Sequence, residues 1–201
     1  MCGRYSLPYS IEKLRKKYGI IDDDIDFSPT GEIFPSNRAP VITKEKEAQQ
    51  KPQLKLFRWG FSPSFASSLI INARGESVEK KATFKKAFYS RRCLIPAGSF
   101  FEWKDTNRGK VKYRISRKES NIFSLAGIFS VFSDEQGKKV PSFCIITTSA
   151  VEKIKPIHHR MPAILTSDEE KIWLNPEEKN TARLKKCLTP SRDELIIQEE
   201  N

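Results

Sequence analysis

Long apolar runs are missing from this chain. No stretch approaches the ~20 apolar residues of a membrane-spanning helix, and the amino-terminal segment lacks the apolar core of a secretory signal. A soluble, cytoplasmic protein with no membrane partner is the expectation. Cysteine is sparse: the four at positions 2, 93, 144 and 187 form no Cys-x-x-Cys pair and no regular spacing. They indicate neither a zinc site nor a disulfide framework, so no metal and no other cofactor is expected. Internal repeats, low-complexity tracts and interdomain linkers are also lacking, and residues 1–201 read as a single domain with one sizeable core. With no obvious apolar patch, a monomer is expected.

Acidic residues are in deficit. Lys+Arg 36 against Asp+Glu 25 gives a net charge of +11, and the cations cluster: Lys13, Arg15, Lys16 and Lys17; Lys80, Lys81, Lys85 and Lys86; Arg91 and Arg92; Lys110, Lys112 and Arg114. Such clusters suit a polyanion such as nucleic acid, or a surface selected for solubility.

Periodicity places a short helix between Ser10 as N-cap and Gly19, with Ile11, Leu14 and Tyr18 inward. The Pro-rich stretch from Phe27 to Pro40 reads as extended loop. Strands follow at Ala39–Thr43, Leu54–Trp59 and Leu69–Asn72, then one or two short basic helices between Ser77 and Ser90. The middle third is β-rich: Arg92–Pro96, Gly98–Lys104, Lys110–Ser116, Ile122–Phe132 and Val140–Thr148, with hairpin turns at Asn107–Gly109 and Asp134–Gly137. A strand at Pro162–Leu165, a capping box Ser167-x-x-Glu170, a helix near Thr181–Leu188 and a strand at Leu195–Gln198 complete an α+β fold around a mostly antiparallel, curled sheet.

Cys2, in Met1-Cys2-Gly3-Arg4, would become the first residue on loss of one methionine. Its α-amine and thiol, on neighbouring carbons, could then attack one aldehyde carbon twice and close a five-membered thiazolidine. Unperturbed, these groups titrate at about 7.7–8.0 and about 8.5, so a modest local field would arm them. Three more polar residues stand in apolar settings. Asn72, ending Leu69-Ile70-Ile71-Asn72, either satisfies backbone groups or points at a reactive centre. Glu102 lies among Phe100, Phe101 and Trp103: buried, its pKa would rise towards neutrality, whereas strand alternation would instead give it to solvent. In Ile157-His158-His159-Arg160-Met161-Pro162, an extended backbone puts His158 and Arg160 on one face and His159 on the other, making His158 the candidate proton carrier. Arg4, Arg74 and Arg160 each lie within two residues of a proposed reactive group, and Trp59 and Trp103 offer faces that could stack bases or fill the core.

Six segments, Met1-Cys2-Gly3-Arg4, Arg58-Trp59-Gly60, Asn72-Ala73-Arg74, Arg91-Arg92-Cys93-Leu94-Ile95-Pro96-Ala97, Phe101-Glu102-Trp103 and His158-x-Arg160-Met161-Pro162, stand in the order and approximate spacing of one family. Over nearly its whole length the chain resembles the SOS-response-associated peptidase (SRAP) proteins. The resemblance implies a bifurcated sheet forming a pseudo-barrel flanked by helices. It implies a protein that senses abasic sites in single-stranded DNA and traps them as a thiazolidine DNA–protein crosslink. The resemblance also implies that Met1 is removed first, with thiol autopeptidase activity as the route it suggests, and that the DNA chemistry is lyase-like. By the same resemblance Cys2 is the nucleophile, Asn72 positions the cysteine or opened sugar, Glu102 moves protons in ring opening and imine formation, and His158 is the second acid–base group. Arg4, Arg74 and Arg160 would hold phosphates, with Trp103, Phe65 and Pro35 against the DNA. A protein of this kind would be nucleoid-associated when bound.

The sequence departs from the family pattern at Gly31-Glu32-Ile33-Phe34-Pro35-Ser36-Asn37, where Glu32 replaces an amide and Phe34 an alanine. It departs again at Phe65 for a tryptophan, Phe101 for a tyrosine and His159 for an aspartate. Two other functions fit parts of the chain. An N-terminal-nucleophile amidotransferase also begins Met-Cys-Gly, and Thr30-Gly31-Glu32-Ile33-Phe34 echoes its glutamine-site motif, but the charge and the missing partner domain oppose it. A non-covalent single-stranded DNA-binding module fits the charge clusters and aromatics as well as the enzyme does.

Overall fold

Turn-forming glycines and long β-branched runs dictate the architecture. In the computed structural model, which describes residues 2–21, 25, 27–28, 31–44, 51–190 and 194–200, the elements run β1 (Tyr5–Ser6), α1 (Ile11–Tyr18), β2 (Glu32–Ile33), β3 (Arg38–Thr43), β4 (Gln53–Trp59), β5 (Asn72–Arg74), α2 (Ala82–Ser90), β6 (Arg92–Ala97), β7 (Ser99–Thr106), β8 (Gly109–Arg117), β9 (Phe123–Ser133), β10 (Lys139–Ser149), β11 (Arg160–Pro162), β12 (Ile164–Leu165), α3 (Ser167–Leu174), α4 (Thr181–Lys186) and β13 (Leu195–Glu200).

Five strands close on themselves. β10 pairs in parallel with β4, then β4 with β3, β3 with β6, β6 with β9 and β9 back to β10, all antiparallel after the first pairing. The second sheet is antiparallel, in the order β13-β8-β7-β1-β2. The chain crosses from barrel to second sheet between β6 and β7, at Gly98. Its amide donates to Ser6 O at 2.7 Å, and a Cβ there would lie 2.9 Å from the Tyr9 ring. Only glycine permits so close a passage. This is the bifurcated sheet and pseudo-barrel that the resemblance implied.

The barrel interior is aromatic. Trp59 is fully buried, stacks on Phe143 at 6.2 Å, meets Tyr5 edge-on at 5.3 Å and donates its indole N–H to Ile71 O at 3.0 Å. It is therefore a core residue and no platform for bases. Gly127 on β9 is equally constrained, since a Cβ would approach Ile95 Cδ1 to 2.6 Å and Cys93 Sγ to 2.8 Å. All four cysteines are free and buried.

Helices close the outside. α1 seats Ile11 and Leu14, ends at Gly19 in the left-handed region (φ 65°), and is pinned to β9 by Tyr18 Oη and Ser124 Oγ at 2.8 Å. Arg92 does not belong to a surface cluster, contrary to expectation. It is buried, with its guanidinium donating to the carbonyls of Phe88, Trp173 and Asn175 at 2.8, 2.6 and 2.5 Å. It thereby satisfies the carboxyl ends of both α2 and α3.

Other boundaries moved for local reasons. The capping box is Thr166 with Glu169, one residue before the pair expected, because both reciprocal hydrogen bonds form there. One α-helix, α2, occupies the 77–90 region, and α4 stops at Lys186. The strand expected at Leu69–Asn72 begins instead at Asn72, where pairing with β10 starts; before it only Ile70 bridges, to Phe61. The stretch read as loop contributes β2, which covers β1. Among the described residues no helix is long and apolar enough to cross a membrane.

Candidate active site

Three elements meet at the beginning of the chain. β1 runs antiparallel to β7 with Tyr5 opposite Phe100, and the Phe101 amide donates to Arg4 O at 3.0 Å. Continuing that register carries Cys2 and Gly3 alongside Glu102. Strand alternation does not release Glu102 to solvent: it is 2% exposed, and both faces of β7 are covered at this level. Burial raises its carboxyl from the ordinary 4.5 to about 7.

Cys2 is also fully buried. Burial, and then the charge of Glu102, push its thiol well above the usual range, while Sγ leans on Arg4 O at 3.6 Å. The field at this site thus opposes thiolate formation, contrary to the expectation that it would arm the sulfur. Met1 lies outside the described residues.

Asn72 opens β5, the short strand beside the emerging end of β10. Its Nδ2 donates to Cys2 O at 2.9 Å, fixing the backbone that carries the thiol. The other end of the amide, Oδ1, is buried with no hydrogen-bond partner among the described residues. An orphaned acceptor costs about 1–3 kcal/mol, a sign of a waiting ligand atom.

His158 follows the turn after β10, its amide held by Ile154 O at 3.0 Å. Its Nδ1 lies 4.0 Å from Glu102 Oε1. The same nitrogen stands 3.0 Å from the Arg160 amide and 3.1 Å from the Arg160 carbonyl. With the amide donating, Nδ1 is the acceptor of the neutral ring and Nε2 carries the proton; protonated, Nδ1 can donate to the carbonyl without moving. Burial holds the imidazole below its ordinary value, against the Arg160 hydrogen bond. Glu102 is thus shifted up and His158 down, both by burial, which disfavours the charged form of each. His159 does not point oppositely: the segment is a turn, and the two rings stack at 4.4 Å.

The residues expected against DNA divide. Arg74 is exposed at the end of β5 and forms no ion pair among the described residues. Arg4 pairs with Glu32 at 2.6 Å, lies 3.4 Å over the Phe34 ring and 5.7 Å from that of Trp103. Pro35 sits half-buried in the turn that presents Phe34, with Ser36 at φ 73° and Asn37 Oδ1 accepting the Phe34 amide at 3.0 Å. Phe65 is 74% exposed on the loop between β4 and β5. Arg160, in contrast, is buried and committed inward, bidentate on Glu76 at 2.6 and 2.9 Å and donating to Thr147 O at 2.7 Å.

Glu76 escaped the sequence reading. Its only signal was a carboxylate two positions after Arg74, and its partner is 84 residues away. Lys185 ties the same loop down through Gly75 O and Glu76 O, both at 2.8 Å. Tyr5 was also missed: its hydroxyl is buried without a hydrogen-bond partner among the described residues, and burial, followed by the charge of Cys2, raises its pKa.

The architecture is a barrel with a second sheet split from it, holding the Cys2 thiol, the Glu102 carboxyl and the His158 imidazole close together. The chain belongs to the SOS response associated peptidase (SRAP) family, whose profile matches residues 1–199. It is 37% identical over 200 residues to the abasic site processing protein YoqW of Bacillus subtilis, covering 94% of this chain and 87% of that one. It is 38% identical over 201 residues to the abasic site processing protein YoaM of the same organism, covering 94% and 86%. A crystal structure of a Bacteroides thetaiotaomicron protein superposes with a TM-score of 0.87 at 27% identity, covering 100% of this chain and 92% of that one.

Proposed function

We propose that this protein processes abasic sites in DNA, as its named relatives do, by capturing the lesion on single strands as a covalent thiazolidine at Cys2. The observation that carries this reading is the convergence of Asn72, Glu102 and His158, from three separate elements, on the beginning of the chain.

Hydrolysis of the Met1–Cys2 bond, by self-cleavage in this proposal, consumes one water, releases methionine and leaves a free α-amine on Cys2. Glu102, with a pKa of about 7, supplies a proton to the ring oxygen of the abasic sugar while the C1 hydroxyl gives up its own proton to solvent, and the C–O bond of the ring breaks to leave the aldehyde. The amine adds to the aldehyde carbon and one water leaves, giving an imine. The thiol then adds to the same carbon: a C–S bond forms, and the thiol proton passes by way of Glu102 or His158 to the nitrogen. The buried thiol does not compete as a free thiolate. It needs deprotonation only after the imine stands beside it. Asn72 Oδ1, buried with no hydrogen-bond partner among the described residues, would accept from a hydroxyl of the opened sugar. No base need be read, since the lesion has none; phosphate contacts and stacking suffice.

The test mixes processed protein with a single-stranded oligonucleotide carrying one abasic site and resolves it on a denaturing gel. A shifted band is expected for the wild type and none for Cys2→Ala or for a chain retaining Met1. A wild type without the band, or a Cys2→Ala variant with it, removes the covalent mechanism.

A further inference from the structure

Beyond Arg4, the outer face of the second sheet carries a cationic strip that the site chemistry does not use. Lys112 and Arg114, two residues apart on β8, share one face, opposite Trp103 and Phe101 on β7 and opposite Glu200 and Gln198 on β13. Lys112 Nζ lies 4.3 Å over the Phe101 ring and the Arg114 guanidinium 5.4 Å. Two side chains so related on a strand are about 7 Å apart, a spacing an extended nucleic-acid strand can match with successive phosphates.

The strip is closed by the protein itself. Glu32 bridges Arg4 and Lys112, and Glu200 bridges Lys112 at 3.0 Å and Arg114. Both carboxylates are partly buried; burial pulls their pKa values up, but the hydrogen bonds from these cations outweigh it and hold them below the ordinary range. They stay ionised at neutral pH. Glu32 is also where this sequence departs from the amide usual in the family.

We infer that Arg4, Lys112 and Arg114 form a phosphate-binding track for single-stranded DNA, and that Glu32 and Glu200 are internal counter-anions which the DNA backbone must displace. The inference rests on the function proposed above. When a phosphate displaces a carboxylate from a cation, the counterion the phosphate gives off is balanced by the one the freed carboxylate takes up, so in the wild type two of the three positive charges add nothing net to the salt dependence of binding. The acids thereby disfavour undamaged strands, held by phosphate contacts and stacking alone, relative to a lesion that also forms covalent bonds.

Fluorescence anisotropy with an undamaged oligothymidylate, titrated at several salt concentrations, tests this. Glu32→Gln combined with Glu200→Gln is expected to tighten binding by about tenfold at low salt. It should also steepen the log K against log salt slope by roughly 1.4, about 0.7 for each of the two internal negative charges removed. Lys112→Gln with Arg114→Gln breaks the same ion pairs but should not tighten binding, and added to the acid variants it should erase their gain. Asp168→Asn with Glu152→Gln removes the same charge from α3 and from the turn after β10, and should leave the slope unchanged. An unchanged slope in the Glu32/Glu200 variant, or an equal gain from the Asp168/Glu152 control, overturns the inference while wild-type crosslinking still stands. A wild type that neither binds nor crosslinks single-stranded DNA overturns both.

Discussion

Glu102 shows how a residue's environment sets both its chemistry and its cost. Raising the carboxyl from 4.5 to about 7 corresponds to a penalty on the order of 3 kcal/mol on its ionised form. Because the folded value lies above the unfolded one, the stability linked to the proton is fully present below about pH 4.5 and is lost as pH rises through about 7. Glu102→Gln should therefore match the wild type in urea denaturation at pH 4 and exceed it by on the order of 3 kcal/mol at pH 8. The same variant should crosslink at least about a hundredfold more slowly and lose the fall in rate above pH 7 that a general acid imposes. Asn72→Ala removes the tether on Cys2 O and the waiting acceptor together. Its gel time course should slow while its melting temperature changes little, since relief of an orphaned buried oxygen offsets the lost hydrogen bond. Asn72, Glu102 and His158 were legible in the sequence because each is a polar residue in an apolar segment. Glu76 and the ion pairs of Glu32 were not, because a surface-type charge acquires its meaning only from partners 84 and 80 positions away.

At the scale of elements, strand identity was legible wherever β-branched and aromatic residues ran unbroken, as in β6 to β10, and α1 was legible from Ser10 and Gly19. Short pieces were not: β1 and β2 have two residues each, β1 pairing with the edge of β7 and β2 with β1. The α3 box slipped by one because Thr166 and Ser167 are both competent caps, and packing of Trp173, with its indole N–H shared between Cys93 O and Gly127 O at 3.1 Å, selects the register. Thr166→Ala should cost about 1 kcal/mol in thermal unfolding, whereas Ser167→Ala should be near neutral. Gly127→Ala should cost about 1–3 kcal/mol by overpacking, because Ile95 and Cys93 must yield. A wild-type melting temperature for it would show that β9 can move away from β6.

For the whole molecule, the net charge of +11 did foretell basic surfaces, but the fold redistributes it. Arg92 went to the interior, Arg160 to Glu76, and Arg4, Lys112 and Arg114 to internal acids. Composition counts charges; only topology says which are available. Topology also decides what can open. The strand that closes the barrel, β10, passes beyond its rim with β5 on one side and β11 on the other, and these carry Asn72 and Arg160. Backbone bonds run from it to Ile71, Gly75 and Ala163, and from Ala150, just past its end, to His159. Residues 145–147 are therefore held by β5 and 147–149 by β11, continuous with the barrel pairing that ends at Ile145. Their amides, measured by hydrogen–deuterium exchange, should exchange only through global unfolding, as slowly as the slowest in the molecule. In the proposed function the reactive site thus stands against paired strands and not on a loose segment, and the opening that would admit a DNA strand falls to the loops that carry Phe34 and Phe65.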